Sequence, residues 1–220
     1  MSGLRATMRL YGLVKNLGSS DNPHRQAVDI LCITNRMGGK AIRAFVSRLD
    51  AELMARGAGF EAYRVIPLCT FDPNPFLAAH QGWLALHVCC GFVAPAGQSL
   101  MHKGTLSPMG WYVYSQIGHW TSEHHLDLGP QMADLLQTAY ERHQLISYNT
   151  WLNQLDDVSP AELAWHADQA WGQLQSTPQG KSREHRHALF DPVDNRWRFC
   201  ATDIDICLPP PEPLKQGALN

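Results

Sequence analysis

Ala27-Val28-Asp29-Ile30-Leu31-Cys32-Ile33-Thr34, followed at once by Asn35-Arg36-Met37-Gly38-Gly39-Lys40, is the stretch on which the fold turns. The first eight residues are apolar enough to read as a strand inside a sheet. Beyond the two glycines, Ile42, Phe45, Val46, Leu49 and Leu53 recur at three- and four-residue spacing. That spacing predicts one apolar stripe on a helix over residues 40–56. Gly57 and Gly59 stop the helix, and residues 60–70 read as the next strand. Strand, helix and strand with short links make a βαβ-like unit, which predicts a parallel pair joined by a right-handed crossover. Pro67 places the last strand at an edge or a bulge.

Outward from this unit, residues 8–14 read as a first strand and residues 18–23 as a loop. Pro75 suits the first turn of a helix through about Leu86, residues 87–94 fit either a helix end or a strand, and residues 97–108 read as loop. Residues 111–117 form an aromatic and β-branched strand. Gly129-Pro130 opens a helix bearing Met132, Leu135, Leu136, Ala139 and Tyr140, and residues 148–155 form a shorter one. Ser159-Pro160-Ala161-Glu162 is a capping box with proline at the first helical position of a helix running to about Leu174. Residues 177–181 are a linker. Residues 187–191 and 196–207 pair as a hairpin around Pro192-Val193-Asp194-Asn195. The expected fold is α+β: a mixed sheet with a βαβ-like N-terminal unit, a helical middle and C-terminal section, and a C-terminal β-hairpin. Residues 1–208 are read as a single globular domain and residues 209–220 as a Pro-rich flexible tail.

The 220 residues are 45% hydrophobic with 7 Trp, 7 Phe and 6 Tyr, enough apolar surface for a core. No apolar run is long enough to cross a membrane. The six cysteines sit in apolar contexts at irregular spacings, and the first residues lack the apolar core of a secretory signal. Reduced, buried thiols and a cytoplasmic protein are the expectation. The net charge of −2 hides segregation, because residues 1–64 hold ten Arg/Lys against five Asp/Glu, whereas residues 65–180 hold two against nine. A basic first third permits a phosphate-binding face, and an acidic, Trp-rich remainder permits a protein interface.

The sharpest local chemistry is the Gly-Gly-Lys turn. A helix N-terminus offers free N–H groups and partial positive charge, and glycine admits a phosphate to the backbone. Walker spacing fails, since Thr34 stands five positions before Gly39 and Ala41 replaces the magnesium-holding hydroxyl. What remains is a general anion site of Arg36, Gly38, Gly39, Lys40 and Arg43, with Arg48 as an extension; the competing reading is a solvated basic helix face. A second basic segment, Arg183, Arg186, Arg196 and Arg198 interleaved with Trp197 and Phe199, suits phosphate contact and base stacking if the hairpin exposes its aromatics. The competing reading buries them.

Histidine chemistry ranks lower. His119, His124 and His125 with Glu123 place three imidazoles and a carboxylate within seven positions, a donor set zinc accepts, but at a spacing that matches no zinc motif. His87 with Cys89 and Cys90 is a soft donor set inside an apolar run that reads as core. His24 beside Arg25 suits acid–base chemistry on a phosphodiester only if it nears the basic turn. No metal, cofactor or catalytic residue is assigned, and whether the chain is an enzyme stays open. The leading reading is a non-catalytic cytosolic binding protein that contacts a polyanion, foremost nucleic acid backbone. The first alternative is a protein-interaction module, an inhibitor or a subunit of a larger complex with a protein partner. The second is a His-dependent metalloenzyme.

Overall fold

The computed structural model describes residues 3–16, 28–34, 39–57, 59–60, 62–95, 101–102, 104–145, 148–174 and 185–201. The elements in chain order are β1 (Tyr11–Asn16), β2 (Val28–Ile30), β3 (Cys32–Thr34), β4 (Lys40–Phe45), α1 (Arg48–Ala55), β5 (Tyr63–Pro67), α2 (Asn74–Ala79), β6 (Trp83–Pro95), β7 (Met101–His102), β8 (Thr105–Leu106), β9 (Pro108–Gln116), α3 (Gly129–Arg142), α4 (Tyr148–Asp157), α5 (Pro160–Gly172), β10 (His185–Asp191) and β11 (Arg196–Ala201). The fold is α+β, with a strand–helix–strand N-terminal unit (β4, α1, β5), three consecutive helices and a C-terminal hairpin. The expected linker and Pro-rich tail lie outside the described residues.

The predicted helix over residues 40–56 is half strand. Ala41, Ile42, Ala44 and Phe45 are all fully buried, so β4 is covered on both faces and shows no polar alternation. Ile42 and Phe45, three apart, therefore imitate a helical stripe. The helix begins only after Ser47, whose hydroxyl accepts from the Asp50 N–H at 3.4 Å. The apolar run before the glycines is likewise two short strands. Leu31 divides it, donating its N–H to Leu13 and accepting from Arg43 N–H; β2 pairs with β1 and β3 with β4. The expected parallel pair forms elsewhere, between β4 and β6, while β5 pairs antiparallel with β1. The helix expected from Pro75 ends at Ala79, and Trp83 already starts β6. The segment read as loop carries the two-residue strands β7 and β8.

β6 organises the sheet. Along residues 83–89 it pairs with β9, and along residues 86–89 its other edge takes β4 in parallel. From Phe92 onward it takes β10, antiparallel. The register shifts between Cys89 and Phe92, where Gly91 adopts φ +67°. The Gly91 N–H donates to Asp50 Oδ2 at 2.8 Å, so a side chain of α1 holds the bulge. Burial pushes the Asp50 carboxyl up to about 7. The helices cover the apolar side chains of this sheet: Leu53 of α1, Leu136 of α3 and Leu163 of α5 are buried in one core with Ile42, Leu86, Val88 and Phe92. The predicted capping box forms at α5, where the Ser159 hydroxyl accepts from Glu162 N–H at 3.2 Å.

A Cβ on Gly91 would lie 2.5 Å from the Ala188 carbonyl oxygen and 2.6 Å from His187 Nε2, whereas at Gly59 (φ +85°) a Cβ meets nothing within 4 Å. Gly59→Ala therefore carries backbone strain alone, about 1 kcal/mol. Gly91→Ala adds a clash with backbone and is expected to cost about 2 kcal/mol more. Denaturant midpoints of the two variants check the difference; equal midpoints would refute the close packing of β6 against β10.

A candidate ligand-binding face on strands β4, β6 and β9

Residues opposite one another in a sheet share a face, as do residues two apart on one strand. Arg43 of β4 stands opposite His87 of β6, and His87 stands opposite Tyr112 of β9. Tyr114 extends this line along β9, and Trp83 extends it along β6. The His87 and Tyr112 rings are 4.8 Å apart, and Tyr112 stacks on Tyr114 at 6.1 Å with 16° between planes. Tyr112, Tyr114 and Arg43 are half-buried, and Trp83 is 43% exposed. The face is thus a row of aromatic rings reaching solvent, with a guanidinium at one end. Arg43 forms no ion pair among the described residues, and its buried Nε has no hydrogen-bond partner. Its charge meets no carboxylate among the described residues, which leaves this end of the face suited to an outside anion.

Burial lowers the His87 imidazole to about 4, and the Arg43 charge beside it acts in the same direction. The ring is therefore neutral near pH 7. Cys89 Sγ lies 3.3 Å from His87 Nδ1, and burial pushes that thiol up to about 12. Cys90, the next residue along the strand, points to the opposite side, so the His87, Cys89 and Cys90 set does not converge on one point.

The anion site expected at Gly38-Gly39-Lys40 is not at a helix N-terminus. Gly39 leads into β4, and Lys40 and Arg43, three apart on a strand, point to opposite faces. Arg48 sits a full strand later, in the first turn of α1. Arg36, Gly38, Arg183 and His24 lie outside the described residues. On the hairpin, Arg186 is exposed, but Arg196 and Arg198 are paired with acids. Arg198 holds Asp191 through Nε at 3.0 Å and through a terminal nitrogen at 2.7 Å, and it also pairs with Asp194. Arg196 takes Asp194 at 2.8 Å. Trp197 is buried, donating its indole N–H to the Ala170 carbonyl at 3.0 Å, and Phe199 packs against the core. The hairpin aromatics therefore belong to the interior, while the sheet aromatics of β6 and β9 reach solvent.

The exposed histidines are not gathered into a ligand set. His119 and His125 are exposed, and His124 Nδ1 is taken by the Thr121 N–H at 3.0 Å and hydroxyl at 2.7 Å. Among the described residues, the side chains that approach metal-ligand geometry are His143, His187 and Cys200, whose ligand atoms lie within 4.8 Å of one another. The signal for this trio is in the hairpin itself. A turn at residues 192–195 places 191 opposite 196, and counting back places His187 opposite Cys200, as observed. A cleft of about 530 Å³ opens between the N-terminal segment and α3 and α4. Its cation, Arg9, is matched by Asp156 at 2.6 Å, and Asp156 also accepts from the Tyr11 hydroxyl. No family model, curated protein or solved structure matches this chain.

A histidine whose folded-state pKa lies near 4 resists the proton that the unfolded chain accepts at about 6.5. The stability it supports is complete above the unfolded value and falls as pH drops toward the folded one. His87→Gln is expected to flatten this acid loss by up to about 3 kcal/mol between pH 6.5 and 4. Urea unfolding of both proteins across that range checks it; identical pH slopes would refute the buried, neutral state of His87.

Proposed function

We propose that this chain is a non-catalytic binding protein for single-stranded nucleic acid, held on the β4–β6–β9 face. Arg43 takes a phosphate, and Tyr112, Tyr114 and Trp83 offer planar surfaces on which bases stack. The observation that carries the reading is Arg43, a half-buried guanidinium with no acidic partner among the described residues, at the end of a solvent-reaching aromatic row. Cations track the backbone and aromatic rings take the bases in sheet-based binding of single strands. Neither the glycine turn nor the hairpin enters this reading. Lys40 is on the other face, and Arg196 and Arg198 of the hairpin pair with Asp194 and Asp191.

The test is binding of a fluorescent single-stranded RNA to the full chain. Affinity is expected to fall as salt rises from about 50 to 200 mM. Tyr112→Ala is expected to cost about 1–3 kcal/mol of binding, with Tyr112→Phe close to wild type. Arg43→Met should weaken binding and lower the salt slope by about one. No binding at low salt, or Arg43→Met and Tyr112→Ala variants that bind like wild type, would overturn the proposal. Equal affinity for a duplex of the same sequence would refute the stacking.

A further inference from the structure

His143, His187 and Cys200 reach one point from three elements. His187 and Cys200 are directly opposed on β10 and β11, and His143 caps the C-terminus of α3. The two imidazoles meet edge to face, 4.7 Å between centroids and 88° between planes. Cys200 Sγ lies 3.7 Å from His143 Nδ1. A zinc ion with ordinary Zn–N and Zn–S bonds in tetrahedral geometry spaces its nitrogen and sulfur donors about 3.5 Å apart. This pair, at 3.7 Å, is close to that spacing, and all three ligand atoms lie within 4.8 Å of one another.

The second observation is a stranded lone pair. His187 is 1% exposed, and its Nε2 is 2.7 Å from the Cys90 carbonyl. A carbonyl only accepts, so Nε2 carries the hydrogen and Nδ1 is a bare acceptor. That Nδ1 is buried and has no hydrogen-bond partner. An imidazole fixed by one N–H on a backbone carbonyl, with the other nitrogen bare, is the arrangement protein metal sites impose on their histidines. His143 repeats it. Its Nε2 faces the His187 carbonyl at 3.0 Å, and its Nδ1 faces both the Ala139 carbonyl at 2.6 Å and Cys200 Sγ. A neutral ring has one N–H for these two carbonyls. Metal binding at Nδ1 would keep that hydrogen on Nε2, for the His187 carbonyl, and exchange the Ala139 contact for the ion on the side facing the cysteine.

We propose that His143, His187 and Cys200 bind a single zinc-class divalent ion through two imidazole Nδ1 atoms and a thiolate. The ion gives the stranded nitrogen a partner and ties the C-terminal hairpin to the end of α3. Burial holds both imidazoles in the neutral form that a metal requires, with His187 lowered to about 3. Cys200, half-buried, gives up its proton on binding. Two nitrogens and one sulfur suit zinc or cobalt better than magnesium or calcium, which take oxygen donors.

The experiment is titration of the full, chelator-stripped chain with Co²⁺, followed by displacement with Zn²⁺. The expected result is one Co²⁺ per chain with a thiolate-to-cobalt charge-transfer band that zinc removes. Cys200→Ser is expected to abolish the band, and His187→Gln to weaken affinity at least about tenfold, each with an unchanged circular dichroism spectrum. His124→Ala, on the exposed histidine segment, should bind like wild type. A wild-type chain with no thiolate–cobalt band overturns the site without any variant. A band that survives in Cys200→Ser, or disappears in His124→Ala, overturns it equally.

Discussion

The hydrogen bond from the Gly91 N–H to the buried Asp50 carboxylate is the constraint around which the sheet is arranged. β6 is too long to keep one partner on its second edge, so β4 leaves after Cys89 and β10 arrives at Phe92. Between them the ladder is broken and one N–H faces the interior. An unpaired buried N–H costs free energy comparable to a lost hydrogen bond, and Asp50 removes that cost from the helix above. The price is a desolvated acid whose ionised form burial disfavours, lifted to about 7. Because the folded value lies above the unfolded one, the proton on this group favours folding, and its contribution fades as pH rises from about 4 to 7. The same bulge brings β10 close enough for His187 to reach the Cys90 carbonyl. The packing of α1 and the tautomer of His187 therefore depend on one local irregularity.

How legible this was depended on burial. α5 was readable because its signals are local: Ser159, Pro160 and Glu162 act within one turn, and the cap forms as the spacing predicts. The C-terminal hairpin was readable for the same reason. Residues 40–45 were not, because a strand buried on both faces loses the alternation that marks strands, and Ile42 and Phe45 then fit a helical period by coincidence. Residues 87–94 stayed ambiguous for a related reason. Leu86, Val88, Cys89, Cys90 and Phe92 are all fully buried, so β6 reads as a uniform apolar run.

The candidate sites were less legible than the fold. Arg43 was singled out from its sequence position beside a glycine turn, and it pairs with no acid among the described residues, but it lies on a sheet face opposite Lys40. Arg196 and Arg198 look free in sequence because Asp191 and Asp194 seem mere turn residues; the tight turn folds them back onto the arginines. Tyr112 and Tyr114 were visible as an aromatic strand, but only the register with His87 and Arg43 makes them a surface. The histidine-dense segment at residues 119–125 drew attention by density, whereas the three donors that converge are 44 and 13 positions apart, and strand pairing with helix packing joins them.

The change of partner along β6 also divides the molecule in time. β4 and β9 lie against the first half of the strand, and the hairpin lies against the second. β10 and β11 pair with each other from Arg186 to Ala201, a longer ladder than β10 shares with β6. Contiguous motifs of this kind are the units in which native proteins open locally, so the hairpin is expected to open as one piece while the rest of the sheet stays closed. Its amides would then exchange with solvent at a common rate faster than those of β4. Whatever joins the hairpin to α3 would set that rate, which gives the C-terminal hairpin an opening equilibrium of its own.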